Sequence, residues 1–145
     1  MSGRILVTGG SQGIGKALVE RLLKNGHSVV ATTRKPEGQR FQERLNWVAL
    51  DLEQPASVDA FLASDIWDSP FDAVVNNAGF GLIAPIESAD EAAIRTQFEV
   101  NFFATMRVTQ AAMAHFRQHQ GGTLMANTSI GGRMAFPYFG YYNAT

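Results

Sequence analysis

The chain has 145 residues, enough for one domain with a hydrophobic core, and its 46% hydrophobic and 17% charged residues are ordinary for a water-soluble globular protein. A net charge of −1 offers no electrostatic attraction to nucleic acid or to an anionic membrane, and no apolar run approaches the roughly 18 residues of a membrane span. The absence of cysteine excludes a disulfide framework and a thiolate metal site. A reducing cytoplasm is the expected location, although a chain without cysteine is compatible with other compartments too.

The first elements alternate between strand and helix patterns, which predicts a parallel sheet covered by helices on both faces. The first strand is expected at 4–8, directly after a start without the apolar segment of a signal peptide. The first helix is indicated by apolar residues at helical spacing, namely Ile14, Ala17, Leu18 and Leu22. The pair Asn25-Gly26 should end this helix, and a second, β-branched strand is expected at 28–32.

The same alternation continues to the end of the chain. Further strands are expected at 47–50, 71–75 and 123–127, and a second helix is expected to begin near Pro55. A long helix before the last strand is indicated by one stripe of residues, namely Ile94, Phe98, Phe102, Thr105, Thr109, Ala112 and Phe116. Gly121-Gly122 should close this helix. Because crossovers between parallel strands are right-handed, we expect a doubly wound sheet.

Glycines are concentrated in the turn between the first strand and the first helix, which reads Thr8-Gly9-Gly10-Ser11-Gln12-Gly13-Ile14-Gly15. Glycine lets backbone N–H groups approach a pyrophosphate closely, and the start of a helix adds a favourable partial charge. The spacing G-x-x-x-G-x-G differs from the commonest dinucleotide fingerprint, and a turn can also recruit glycine for packing alone. The position of the loop in a strand-loop-helix unit favours nucleotide binding.

Two basic residues, Arg34 and Lys35, follow the second strand, with no carboxylate before Glu37. An acidic residue at this place would bind the 2′-hydroxyl of the adenosine ribose in NAD, whereas a basic residue pairs with the 2′-phosphate of NADP. The guanidinium fork of Arg34 suits bidentate phosphate binding. The two charges could also be a solvated turn, but the pattern favours NADP(H) over NAD(H).

Five ordered motifs resemble those of the short-chain dehydrogenase/reductase family over essentially the whole chain. They are the loop Thr8–Gly15, Asp51-Leu52 after the third strand, Asn76-Asn77-Ala78-Gly79 after the fourth, Asn101 in the long helix, and Thr128-Ser129-x-Gly131-Gly132 with Tyr142. The resemblance implies an α/β fold with a Rossmann-type doubly wound parallel sheet, forming a single NAD(P)-binding domain over 1–145. Thr128 departs from the pattern, because the family usually has serine there.

The resemblance also implies roles for individual residues. Those implied to bind the cofactor are Thr8, Gly9, Ser11, Gln12, Gly13, Ile14, Gly15, Arg34, Asp51, Leu52, Asn77, Ala78 and Gly79. Tyr142 would donate a proton to the substrate oxygen, Ser129 would position that oxygen, and Asn101 would hold a water of the proton relay. Taken singly, these residues could be turn, cap or packing residues. Tyr138 and Tyr141 are rivals of Tyr142, which only its thirteen-residue separation from Ser129 and the continuation Asn143-Ala144-Thr145 select.

The family places a lysine four residues after the tyrosine, beyond Thr145. A tyrosine hydroxyl titrates near pH 10 in water, so such a cation would help it exchange protons at neutral pH. The resemblance therefore implies a chain truncated at its C-terminus, and we expect the family's last strands and helices to be absent from it. An isolated chain of this length is then expected to be poorly soluble or to depend on self-association.

These observations predict an oxidoreductase that transfers a hydride between NADP(H) and a carbonyl compound or secondary alcohol. The alternatives are a catalytically inactive NAD(P)-binding module and a truncated fragment of a longer reductase, while a sugar-nucleotide epimerase is less favoured. A homo-oligomer through the helix around 90–118 is expected, because the family commonly pairs this helix between subunits. His115 and His119 lie four apart, but no third ligand accompanies them and no metal is expected.

Overall fold

A five-stranded parallel sheet forms the centre of the molecule in the computed structural model, which describes residues 2–40 and 42–145. The strands are β1 (Arg4–Val7), β2 (Ser28–Thr33), β3 (Leu45–Ala49), β4 (Ala73–Asn76) and β5 (Thr123–Ala126). Their order is β3-β2-β1-β4-β5, so the direction of progression reverses between β1 and β4. The expected doubly wound parallel sheet is confirmed, with strand ends shifted by one or two residues.

Helices connect the strands and cover both faces of the sheet. They are α1 (Gly13–Lys24), α2 (Pro55–Leu62), α3 (Glu91–Phe98), α4 (Thr105–Gln118) and α5 (Gly140–Asn143). A π-helical turn, Glu99–Ala104, joins α3 to α4 in one long helix, and short 3₁₀ turns lie at Pro36–Gly38, Asp65–Asp68, Ile86–Ser88 and Ile130–Gly132. Pro55 occupies the first turn of α2, where its missing N–H costs nothing.

The core has two layers because side chains of a strand point alternately to opposite faces. In β1, Ile5 and Val7 pack with Val19 and other residues of α1 on one face. Leu6 points to the other face, where it joins the layer formed by α2 and α4, including the fully buried Val108. Because all five strands are parallel, their carboxyl ends lie along one edge of the sheet, where parallel sheets carry their ligand sites.

The predicted stripe of the long helix includes both buried and exposed positions. Phe102 is 46% exposed, whereas Ala112 is fully buried and Phe116 is 7% exposed. Phe102 lies within the π-helical turn Glu99–Ala104. The prediction of a long helix was right, and the structure divides its stripe between core and surface.

The β5 strand lies at the edge of the sheet, next to β4 only. Met125 pairs in register with Val75 and therefore shares its face of the sheet, yet Met125 is 54% exposed while Val75 is 6% exposed. The layer formed by α1 thus leaves this part of the sheet uncovered. Across residues 2–40 and 42–145, none of the helices has the length and apolar character needed to cross a bilayer.

Candidate functional site

The loop between β1 and α1 turns at two glycines with left-handed backbone angles, Gly9 with φ 67° and Gly13 with φ 55°. Side chains with a Cβ are strained in this region, so the path of the loop requires glycine at both positions. Two hydrogen bonds hold the loop to β2: the Gly9 amide donates to Thr32 Oγ1 at 3.1 Å, and the Gly10 amide donates to the Thr32 carbonyl at 2.9 Å. The loop is therefore anchored before the helix begins.

The amino end of α1 has free donors and no competing anion. Gln12 precedes the helix without a side-chain cap, and the first turn contains no acidic residue. The amides of a first helical turn have no partner within the helix, so they can donate to a bound phosphate. A Cβ at Gly15 would collide with the Gly9 carbonyl and with Asn77 Nδ2, so the loop packs as closely as glycine allows. The exposed residues that face outward here are Gln12, Gly13 and Ile14, with Ser11 half-buried.

Asn77 joins the ends of three strands. Its amide donates to Thr8 Oγ1 at 2.9 Å, and its Nδ2 donates to the Thr8 carbonyl at 3.0 Å. The Ala78 amide also donates to Thr8 Oγ1, at 3.1 Å, and Asn127 Nδ2 donates to Asn77 Oδ1 at 3.0 Å. These bonds connect β1, β4 and β5 at their carboxyl ends. The side chains of Thr8 and Asn77 therefore brace the site.

Arg34 and Lys35 are exposed immediately after β2. The Lys35 amide donates to Thr33 Oγ1 at 3.4 Å, which shapes the turn. Within the described residues, neither a hydrogen bond nor an ion pair engages the Arg34 guanidinium, so it can bind an external anion. Thr32, near the end of β2, bonds the loop, so the charge of Arg34 lies at the same edge of the sheet as the loop.

Asp51 and Leu52 follow β3 and lie in different environments. The half-buried Asp51 accepts the Glu53 amide on Oδ1 at 3.1 Å, and the Asp51 amide donates to Ser57 Oγ at 2.9 Å. These bonds are those of a turn that leads into α2. The Leu52 side chain is 6% exposed and belongs to the hydrophobic core. Only the backbone of Leu52 is therefore in a position to meet a ligand.

Asn101 lies in the π-helical turn and holds the segment after β4. Its Oδ1 accepts the Phe80 amide at 3.0 Å, and its Nδ2 donates to the Phe80 carbonyl at 2.7 Å and to Thr145 Oγ1 at 3.0 Å. A Cβ at Gly79 would lie only 3.2 Å from Asn101 Oδ1, so this segment approaches the helix closely. Such π-helical turns are frequent at functional sites.

Ser129 and Tyr142 meet at Gly131. Ser129 Oγ accepts the Gly131 amide at 3.0 Å. A Cβ placed on Gly131 would lie 3.3 Å from Ser129 Oγ and 3.3 Å from Tyr142 Cε1, so the hydroxyl and the ring flank one point. A Cβ on Gly81 would lie 3.4 Å from Tyr142 Cγ, which places the ring against the segment held by Asn101. The three predicted catalytic residues are therefore brought into one region.

The two rival tyrosines have other surroundings. The Tyr141 hydroxyl donates to the Ile86 carbonyl at 3.0 Å. Tyr138 is 62% exposed and has a left-handed φ of 67°. Asn143, which sequence reasoning did not single out, anchors the segment through Nδ2, which donates to the Gly131 carbonyl at 2.6 Å and to the Met134 carbonyl at 3.0 Å. Tyr142 therefore differs from both rivals in lying next to Gly131 and Gly81.

Gln97 was also missed by sequence reasoning. It is fully buried on α3, where its Oε1 accepts the Leu82 amide. The signal in the sequence that could have identified Gln97 was a polar residue on the core-facing side of an amphipathic helix. Polar groups on such a face are costly unless they bond a specific partner.

The histidine pair lies away from this edge, near the start of β4. His115 is 4% exposed, and its Nε2 accepts the Phe71 amide at 3.0 Å. Burial foremost, and then the charges of His119 and Arg4, lower the pKa of His115 from its ordinary value. In the part of the chain that the structure describes, no group of three or more histidine, aspartate or glutamate side chains is arranged to hold a metal ion.

Comparisons with known proteins agree with this geometry. The family model for short chain dehydrogenase matches residues 4–145. Oxidoreductase calM of Penicillium decumbens is 37% identical over 151 residues, covering 96% of this chain and 50% of that protein. The structure of a short-chain dehydrogenase from Streptomyces avermitilis has a TM-score of 0.90 at 29% identity, covering 99% of this chain and 55% of that one.

A second solved structure carries a cofactor. It is a short chain dehydrogenase from Burkholderia cenocepacia in complex with NADP, with a TM-score of 0.86 at 29% identity, and the match covers 99% of this chain and 60% of that one. In each comparison most of the uncovered length belongs to the other protein. The chain spans about half the length of the curated relatives it matches.

Proposed function

The chain belongs to the short chain dehydrogenase family, and from this premise we propose that it forms the nucleotide-binding and catalytic half of an NADP(H)-dependent oxidoreductase. The proposed substrates are carbonyl compounds or secondary alcohols. The observation that carries the proposal is the meeting of Ser129 and Tyr142 at Gly131, beside the segment that Asn101 holds. The proposed location is the cytoplasm, which the cysteine-free composition supports.

The residues present fit a dinucleotide. The loop of Gly9 to Gly15 offers uncapped helix donors for a pyrophosphate, and a Cβ at Gly15 would fill the space against Asn77. Arg34 is free to pair with a 2′-phosphate, and Asp51 lies after β3 on the adenosine side. When bound, the nicotinamide supplies the hydride. The choice of NADP(H) over NAD(H) is supported by the charge of Arg34.

The chain's own residues handle the substrate oxygen and its proton. The Ser129 hydroxyl hydrogen-bonds the oxygen and fixes its orientation. The Tyr142 hydroxyl donates a proton to that oxygen during reduction and accepts it during oxidation. The side chain of Asn101 already bonds Phe80 and Thr145, so its proposed contribution is to hold these two segments in place.

The test is the substitution Tyr142→Phe, with turnover measured by NADPH consumption on a panel of aldehydes and ketones. We expect kcat to fall by about 10²–10⁴-fold, the range for loss of a general acid, with NADPH binding retained. The exposed Tyr138→Phe is the matched control and should keep wild-type activity. Wild-type turnover by Tyr142→Phe would refute the proposed mechanism.

A nucleotide-binding module without turnover is the second candidate, favoured by the coverage of about half of each curated relative. The intact mass of the protein as its cell makes it, combined with NADPH titration, separates the two. A mass near 15.8 kDa with NADPH binding and no turnover would select the binding module. A larger mass with turnover would select the reductase.

Self-association through the long helix is also proposed. Exposed apolar side chains follow one another on this helix: Phe102, Phe103, Met106 and Met113. Apolar patches of this kind mark interfaces in soluble proteins. The expected assembly is a homo-oligomer in which the helix packs against its counterpart.

A further inference from the structure

Gln97 is a buried polar residue with a specific task. Its side chain is fully buried, and its Oε1 accepts the amide of Leu82. Because a backbone amide can only donate, this bond identifies the oxygen and places Nε2 on the other side, where it has no partner among the described residues. An unpaired buried amide group opposes stability, so stability alone does not account for glutamine at this position.

Gln97 and Asn101 lie four residues apart in the long helix and bind the same segment. Asn101 bonds both the amide and the carbonyl of Phe80, at 3.0 and 2.7 Å. Gln97 bonds the amide of Leu82, two residues later. The residue between them, Gly81, is therefore held from both sides by side chains of one helix.

Gly81 is the residue on which the Tyr142 ring rests. A Cβ at Gly81 would lie 3.4 Å from Cγ and 3.5 Å from both Cδ atoms of the ring, so the glycine faces the end of the ring that joins the Tyr142 Cβ. A second contact joins the segment after β4 to the segment that carries Tyr142: the Ala84 amide donates to the Tyr138 carbonyl at 2.9 Å. The position of the segment thus sets the position of the ring, and Gln97 sets the position of the segment.

We propose that Gln97 is a positioning residue that acts through Leu82 and Gly81 to hold the Tyr142 ring in place for proton transfer. The inference rests on the proposed role of Tyr142 in the reductase. Gln97 does not touch the substrate oxygen. Its effect is on the geometry of the hydroxyl, where a displacement of about 1 Å can cost about 100-fold in rate.

The primary test is Gln97→Met, which has a similar volume but cannot accept the Leu82 amide. The control is Gln118→Met, the same change at an exposed position near the end of α4. We expect Gln97→Met to lower kcat at least tenfold, to leave the Kd for NADPH unchanged, and to shift the limb of the pH–kcat profile that Tyr142→Phe removes. A wild-type kcat and pH profile in Gln97→Met, with only a lower thermal midpoint, would show a purely structural role and overturn the inference.

A second variant keeps the test decisive if Gln97→Met does not fold. Gly81→Ala leaves the helix intact and places a methyl group against the ring, so it should lower kcat and shift the same limb of the pH profile. An unchanged kcat and profile in Gly81→Ala would also overturn the inference.

A readout without turnover separates this inference from the proposed function. In protein labelled with fluorotyrosine, the resonance that disappears in Tyr142→Phe should shift in Gln97→Met and stay in place in Gln118→Met. If the resonance shifts in Gln97→Met while Tyr142→Phe keeps wild-type turnover, the proposed function is refuted and the positioning contact stands. No shift, with Tyr142→Phe inactive, would refute only the role of Gln97.

Discussion

His115 Nε2 accepts the backbone amide of Phe71 at 3.0 Å, which ties α4 to the segment entering β4. An imidazole nitrogen can accept a hydrogen bond only when it is unprotonated, so this contact requires neutral His115. The rings of Trp67 and His119 also lie against His115, with centroids 5.5 and 4.3 Å away. Burial first, followed by the charges of His119 and Arg4, lowers the pKa of His115 accordingly.

The lowered pKa predicts a loss of stability in acid. The unfolded chain takes up a proton near the ordinary histidine pKa of 6.5, while folded His115 does so only at lower pH. The contribution of neutral His115 to the free energy of unfolding is therefore complete above pH 6.5, and it is lost as the pH falls towards the pKa of His115 in the folded protein. The free energy of unfolding should decline as the pH falls from about 8 to about 5, the range in which histidine titrates. Urea titration at each pH measures this decline.

The matched variant for this prediction is His115→Gln, whose carbonyl oxygen can accept the Phe71 amide and does not titrate. It should show a shallower decline than the wild type below pH 6.5. The partly buried His27, which accepts the Gly3 amide on Nδ1 at 3.1 Å, provides the control His27→Gln. Equal slopes for the wild type and His115→Gln would contradict the assignment.

Thr8→Val should weaken both the fold and nucleotide binding. The hydroxyl of Thr8 accepts the amides of Asn77 and Ala78, and valine leaves both donors without that partner. Each unsatisfied donor costs about 1–3 kcal/mol, so we expect a loss of at least this size in chemical denaturation. The exposed Thr123→Val is the control. A variant with wild-type stability would show that the two amides find other acceptors.

Arg34→Ala should change the preference between the two cofactors. A hydrogen bond to a charged group contributes about 1.5–3 kcal/mol, which corresponds to about 10–100-fold in affinity. The Kd for NADPH should rise by this factor and the Kd for NADH should change little, as measured by fluorescence titration. Arg40→Ala, a nearby exposed arginine, controls for net charge. Equal effects on both cofactors would refute the pairing with the 2′-phosphate.

Phe103→Glu should weaken the proposed self-association. Phe103 is 54% exposed on the long helix, and burying a phenylalanine contributes about 1.5–3 kcal/mol for each of the two copies in a symmetric contact. We expect the dissociation constant from sedimentation equilibrium to rise at least about 100-fold. Arg21→Glu on α1 is the control, because it adds the same side chain on a different helix. An unchanged assembly would exclude the helix face from the interface.

The parts of the site that sequence reasoning found are those encoded by neighbouring residues. The loop from Thr8 to Gly15 is recognisable because its glycines adopt backbone angles that other residues avoid, and this preference is local. The strands were recognisable from short, mostly apolar runs between helical patterns, and their ends were misplaced by one or two residues because pairing partners decide where a ladder stops. The prediction of a long helix was confirmed for the same local reason.

The parts that it missed depend on residues distant in the chain. The burial of Gln97 is explained only by its bond to Leu82, and the exposure of Phe102 depends on which faces of the long helix other elements cover. The choice among the tyrosines was predicted from spacing, but the surroundings that separate Tyr142 from Tyr141 come from Gly131 and Ile86.

The sequence by itself determined the class of the protein: a doubly wound parallel sheet with a phosphate loop, because backbone preference and hydrophobic period act between residues close in the chain. Tertiary structure alone decided which side chains share the site and how each is held. Gln97 lies far from Tyr142 in sequence, and their arrangement depends on close packing of the long helix against the segment after β4.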